Sequence, residues 1–203
     1  GKTTLYGTAS TAVSAKTELA KAAASATAVS GPKNTVSWGN VPGASGYRVY
    51  RRTGNSDWER IAEVKSNVSS YQDSQIRGIT SYTYSVRAYR NVDGKKVFGS
   101  YKESRAVLSY PDIQKISAVK KTSSGLKLYW RAQSRATFYD VYRKTKNSTW
   151  KKIGTVSGRS TTVSYEDKTA KKGTTYYYAV RAGVKTSEGK TLCGSYAAKS
   201  GKR

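Results

Sequence analysis

Residues 81–88 read SYTYSVRA and residues 175–182 read TYYYAVRA. In both stretches the apolar and aromatic residues fall on every second position: Tyr82, Tyr84, Val86 and Ala88, then Tyr176, Tyr178, Val180 and Ala182. A period of two is the mark of a half-buried strand, because successive side chains of an extended chain point to opposite faces. The intervening Thr83, Ser85 and Arg87, and likewise Tyr177, Ala179 and Arg181, are expected to face water. One strand recurring some ninety positions later means two units of one design.

The rest of the chain repeats around these two strands. Residues 35–38 and 126–130 read as second strands that each end on an inward Trp, and Trp38 and Trp130 stand 92 positions apart. Residues 46–52 (GYRVYRR) and 138–144 (FYDVYRK) follow, with Tyr47, Val49, Tyr139 and Val141 on the core side. Arg48, Tyr50 and Arg52, and in the second copy Asp140, Tyr142 and Lys144, alternate onto the other face. Trp58, Ile61 and Val64 match Trp150, Ile153 and Val156, and Tyr71 with Asp73 matches Tyr165 with Asp167. Residues 18–29 are rich in Ala and have some helical propensity, but their place in the repeat matches 113–119 (IQKISAV), so both are read as first, edge-lying strands. Gly-containing turns separate about seven strand-like segments per unit.

Taken in order, these features resemble the fibronectin type III domain, in the Tyr- and Lys-rich form found in tandem on surface and secreted proteins of Gram-positive, gut-type bacteria. The resemblance covers residues 18–108 and 112–202. It implies an all-β chain of two tandem immunoglobulin-like sandwiches of seven strands each, with Tyr82 and Tyr176 as tyrosine corners whose hydroxyls bond backbone. No RGD occurs in the sequence, so the integrin-binding role of some members does not carry over. The expected division is 1–17 as the terminal strand of a preceding repeat, 18–109 as the first domain and 110–203 as the second. The first segment earns its reading from GKTTLYGTAS, which lines up with GKKVFGS at 94–100 and GKTLCGS at 189–195. The joint at residues 108–112 contains Pro111, which restricts its own φ and that of Tyr110, and is expected to be short and stiff.

The 203 residues hold 37 Lys and Arg against 12 Asp and Glu, a net charge of +25 that points to a polyanion or a negative surface as partner rather than to a fold. With no His, no Met and one Cys, the chain excludes a zinc site, a disulfide framework and any Ser-His or Cys-His catalytic pair. Its acids are dispersed; Glu166 and Asp167 would point to opposite faces, unlike the paired carboxylates of a glycosidase. One recurring Asp per unit is far short of a calcium site, and turn hydrogen bonding is the expected reason for Asp73 and Asp167. Cys193 takes the place of Phe98 and reads as a small, half-buried hydrophobe. The sequons at Asn67 and Asn147 read as chance. No apolar run is long enough to span a membrane.

No catalytic residue, metal ligand or cofactor site is therefore expected, and the chain is read as not an enzyme. The one feature above background is basic and aromatic: Arg48, Tyr50, Arg52 and Arg87 in the first unit, Tyr142, Lys144 and Arg181 in the second, with Lys127, Tyr129 and Tyr177 on the same outer face. Guanidinium and ammonium groups beside Tyr rings can hold anionic groups and stack on sugars; the bland reading is a solvated face whose charges block edge aggregation. The expected role is a semi-rigid spacer in a longer bacterial surface or secreted protein, extracellular or wall-associated, with neighbouring domains of the parent chain as partners. Two alternatives stay open: an adhesion module for wall polymers or anionic glycans, and an accessory module of an extracellular carbohydrate-active enzyme. Nucleic acid is expected to bind only non-specifically.

Overall fold

A computed structural model describes residues 18–158 and 161–203. The expectation of a terminal strand at residues 1–17 lies outside the described residues. Strands and turns make up the secondary structure of the described residues. The first copy contains β1 (Ala22–Val29), β2 (Lys33–Trp38), β3 (Gly46–Arg52), β4 (Glu59–Lys65), β5 (Ser70–Asp73), β6 (Ser81–Val92), β7 (Lys95–Phe98), β8 (Tyr101–Lys102) and β9 (Val107–Leu108). The second contains β10 (Gln114–Lys121), β11 (Leu126–Arg131), β12 (Phe138–Lys144), β13 (Lys151–Ser157), β14 (Thr162–Asp167), β15 (Thr175–Lys185), β16 (Thr191–Cys193), β17 (Tyr196–Ala197) and β18 (Lys199–Lys202). Each copy has seven strands, the seventh broken into three pieces. A four-stranded sheet ordered β5-β2-β1-β8 packs on a five-stranded one ordered β4-β3-β6-β7, with β9 also on β6. The second copy repeats this as β14-β11-β10-β17 against β13-β12-β15-β16 with β18. The chain is thus two tandem immunoglobulin-like β-sandwiches.

The Ala-rich segment is strand from Ala22, as its place in the repeat required. It is not at the sheet edge, however: the middle piece of the last strand crosses to pair with it in parallel, Ala22 with Tyr101 and Ala23 with Lys102. The same crossing sets Gln114 beside Tyr196.

Alternation places the core. Tyr47, Val49, Tyr84, Val86 and Ala88 are fully buried, as are Tyr139, Val141, Tyr178, Val180 and Ala182. Trp38 stands 5.5 Å from Tyr47, and Trp130 stands 5.6 Å from Tyr139. Each such side chain contributes about 1.5–3 kcal/mol by burial. The spacing of three between Ile61 and Val64 does not fit a regular strand, and a bulge explains it: the β3–β4 register shifts between Val49 and Tyr50, and the β12–β13 register shifts between Val141 and Tyr142. Tyr82 Oη accepts from the Arg77 N–H at 2.9 Å and Tyr176 Oη from the Lys171 N–H at 3.2 Å, the geometry of a tyrosine corner.

Two outer-face readings need correction. Ser85 and Ala179 are buried rather than water-facing. They pair with Tyr50 and Tyr142, and a short side chain between long ones is shielded from solvent. Lys127 and Tyr129 sit on β11, in the four-stranded sheet, so they do not share a face with Tyr142 and Arg181.

Asp73 and Asp167 do more than close a turn. Asp73 Oδ1 accepts from the Gln75 N–H, while Arg51 Nη1 reaches Oδ2 at 3.0 Å and Tyr84 Oη donates to it at 2.9 Å. Asp167 Oδ2 likewise receives Arg143 Nη1 and the Tyr178 hydroxyl, both at 2.7 Å. Both acids are only 1–2% exposed, so each sandwich carries, at one place, an Arg-Asp-Tyr triad whose acid and phenol are buried under a partly exposed arginine.

The joint is packed. Ile79, 2% exposed, belongs to the hydrophobic cluster of the second sandwich although it lies on the first. Its φ is +51°, a left-handed conformation that costs a β-branched residue about 1–2 kcal/mol. Ser109 Oγ donates to the Arg77 carbonyl at 2.7 Å and accepts from the Thr80 N–H at 3.1 Å. Asp112 Oδ1 accepts from the Gly78 N–H at 3.1 Å.

Candidate functional site

The outer face of each five-stranded sheet is built by one alternation. On β3 the residues between the core positions are Arg48, Tyr50 and Arg52, and antiparallel register sets Arg48 across from Arg87. Two guanidinium groups side by side repel, and aromatic rings separate them. Arg48 lies 4.6 Å and Arg87 5.2 Å from the Phe98 ring centre, while Arg52 lies 4.7 Å from that of Trp58. Trp58 meets Tyr101 edge-on at 6.3 Å, and Arg87 reaches the same Tyr101 at 5.9 Å. The result is a ladder of alternating rings and cations.

Much of the first unit's charge is spent within it. Arg48 Nε donates to Glu63 Oε2 at 2.7 Å, Lys96 pairs with the other oxygen, and Arg52 pairs with Glu103 at 2.8 Å. The hydrogen bonds from Lys96 and Arg48 hold the Glu63 carboxyl down at about 2. Arg87 Nε donates to the Gly99 carbonyl at 3.3 Å.

The second unit differs where the acids stood. Arg181 repeats its counterpart, donating to the Gly194 carbonyl at 3.1 Å. Asp140 replaces Arg48 and is paired with Lys152 at 2.6 Å and Thr155 at 2.7 Å. Lys144 takes the place of Arg52, 5.5 Å from Trp150 and 5.9 Å from Tyr177. Thr155 and Ala198 stand where Glu63 and Glu103 were, and Lys144 has no carboxylate in ion-pair range among the described residues. Trp150 and Tyr196 pack edge-on at 5.5 Å, and Tyr196 is 38% exposed.

The seven residues singled out from the sequence therefore fall into two patches, one per sandwich: Arg48, Tyr50, Arg52 and Arg87, and Tyr142, Lys144 and Arg181. The aromatic pairs Trp58–Tyr101 and Trp150–Tyr196, which complete each patch, escaped the sequence reading. Their recurrence in both copies was a signal, but Trp58 and Trp150 precede a bulge, where period two no longer tells which face a residue takes. Among the described residues no three His, Cys, Asp or Glu side chains gather as a metal centre needs.

Solved structures similar to this chain are fibronectin type III domains. A two-domain segment of chicken tenascin is 14% identical with a TM-score of 0.48, over 89% of this chain and 97% of that one. The FN1-FN3 domains of chicken CNTN1 are 15% identical with a TM-score of 0.43, over 89% of this chain and 67% of that one. An Fn3-like protein from Clostridium thermocellum is 25% identical with a TM-score of 0.39, over 46% of this chain and 95% of its own. No family model matches the sequence, and no curated protein matches it. The fold is read from the strand pairing above rather than from these likenesses.

Proposed function

We propose that this chain is a non-catalytic pair of fibronectin type III-like domains, 18–109 and 110–203, serving as a semi-rigid spacer within a bacterial surface or secreted protein. The observation that supports this reading is the joint. A strained Ile79 buried in the neighbouring sandwich, with the Ser109 and Asp112 hydrogen bonds beside it, is an arrangement that resists bending. Relaxation of backbone ¹⁵N tests it: both sandwiches are expected to report one anisotropic rotational diffusion tensor. Two separate correlation times, each that of a free domain, would overturn the spacer.

A second reading is adhesion to anionic glycans through the patch of Lys144, Trp150, Tyr177 and Tyr196. What favours it is a cation held between two half-buried rings, beside the exposed Tyr196, with no acid to neutralise it, an arrangement suited to stacking on a sugar that carries a negative group. Trp150→Ala is expected to abolish retention on an anionic-glycan array at physiological salt; unchanged retention would remove this reading.

A further inference from the structure

A cleft of about 1060 Å³ lies between the two sandwiches, walled by the β3–β4 turn and the loop before β6 on one side and by the loop after β11 on the other. Arginines from both units line it: Arg77 from the first, Arg131 and Arg135 from the second. Among the described residues none of these three side chains takes a salt bridge or hydrogen bond. Arg51 and Arg52 also reach the cleft, already holding Asp73 and Glu103. Of its carboxylates, Glu59 is paired with Arg51, while Asp57 and Asp112, the latter accepting from the Gly78 N–H, keep their charge and leave the five arginines in excess.

The two copies act as each other's control. The Val41 N–H donates to Tyr47 Oη and the Gln133 N–H to Tyr139 Oη, which sets Gly43 in register with Arg135. Both are left-handed, at φ +78° and +67°. A left-handed backbone suits glycine, and the copy away from the joint has it; the copy at the joint has arginine. Two residues before the register point the same exchange recurs, with Gly39 in the first copy, in open space, and Arg131 in the second. Across the cleft, Ile79 (φ +51°) stands where the second copy has Gly173 (φ +77°). At three positions, then, side chains stand at the joint where the other copy has glycine. Packing accounts for Ile79, which is buried. It does not account for Arg131 and Arg135, which are exposed.

We infer that this cleft is a binding site for an oligoanion carrying two or more sulfate or phosphate groups, gripped by Arg77, Arg131 and Arg135. Guanidinium groups form paired hydrogen bonds to tetrahedral oxyanions, and the cleft is many times the size of a single such group. The site is distinct from the aromatic sheet faces and rests on the joint geometry, since its arginines come from both units. The ligand bridges the sandwiches and adds to their rigidity.

The test is calorimetric titration of the 203-residue chain at about 0.15 M salt with two probes, inorganic tripolyphosphate and a sulfated hexasaccharide. Saturable one-site binding of at least one probe is expected, and the responding probe tells phosphate from sulfate. Arg131→Gly with Arg135→Gly installs the residues the first copy already carries, so the fold is kept. Affinity is expected to fall at least about tenfold in that variant and in Arg77→Ala. It should change less than about twofold in Lys65→Ala with Lys95→Ala, which removes as much charge far from the cleft. Equal losses in all variants, or no saturation with either probe, would overturn the site. Running ¹⁵N relaxation on the same samples separates the two proposals: joint tumbling without binding removes only the cleft, and independent tumbling removes both.

Discussion

Asp167 shows how much a single buried charge organises here. Burial pushes its carboxyl up, and the hydrogen bonds from Arg143, Tyr178 and Thr169 outweigh that and hold it below the usual carboxylate value. Tyr178 beside it is raised far above an ordinary phenol by burial and by the carboxylate, so it stays a donor at any ordinary pH. A depressed carboxyl stabilises the fold fully above its unfolded value of about 3.9, and that contribution is lost as pH falls through the folded value, because the unfolded chain takes up the proton first. Asp167→Asn is expected to lower stability by about 2 kcal/mol at pH 7, because it removes the charged acceptor shared by the half-buried Arg143 and the buried Tyr178 hydroxyl. It should also flatten the stability profile below about pH 4. Urea denaturation at several pH values reads both; a loss under about 0.5 kcal/mol, no more than a surface substitution brings, would mean that the triad contributes nothing. Glu63, held at about 2 by Lys96 and Arg48, adds to the same acid sensitivity with the same sign.

At the scale of elements, the two sandwiches solve one packing problem in opposite ways. In the first, Gly46 on β3 faces Tyr89 on β6, and a Cβ on Gly46 would lie 2.6 Å from both the Tyr89 hydroxyl and the Val64 carbonyl oxygen. In the second, Phe138 on β12 faces Gly183 on β15, and a Cβ on Gly183 would lie 2.1 Å from the Phe138 ring. The aromatic ring lies over the glycine of the facing strand, and the copies differ in which strand supplies it. Gly46→Phe alone should destabilise the first sandwich by about 2 kcal/mol through overpacking. Gly46→Phe with Tyr89→Gly rebuilds the arrangement of the second copy, and a double-mutant cycle should return a favourable coupling of about 2 kcal/mol. Strict additivity in thermal unfolding would show that the two sites do not share space. The residues of both pairs were readable in the repeat, but the exchange between them was not, because cross-strand register is invisible until the strands are paired.

For the whole molecule, the joint decides behaviour. Ile79→Gly should relieve the left-handed backbone while removing the side chain that fills the second core. The stability of the first sandwich is therefore expected to change little, while the two units begin to tumble separately in ¹⁵N relaxation. Retention of a single diffusion tensor would show that Ser109 and Asp112 suffice to hold the joint. The converse change, Gly173→Ile at φ +77°, is expected to cost the second sandwich about 1–2 kcal/mol with no compensating contact, as thermal denaturation will read. A net charge of +25 guarantees weak affinity for any polyanion at low salt, so only binding that survives physiological salt bears on the cleft or the faces.

By itself the sequence determined the properties that depend on neighbours along the chain. Tyr82 to Ala88 and Tyr176 to Ala182 had to be strands with one buried face, Trp38 and Trp130 had to point inward, and the duplicated order of features had to build two similar sandwiches. An extended backbone alternates its side chains whatever else the chain does. Tertiary structure alone decided which segments became partners. It put Lys127 and Tyr129 in the other sheet, turned Asp73 and Asp167 from turn formers into the buried acids of the triads, and neutralised Arg48 and Arg52 with Glu63 and Glu103. It also brought Arg77 from one copy beside Arg131 and Arg135 from the other. These pairings join residues between 11 and 58 positions apart, and at such separations the path of the folded chain, not the pattern of its sequence, sets what meets.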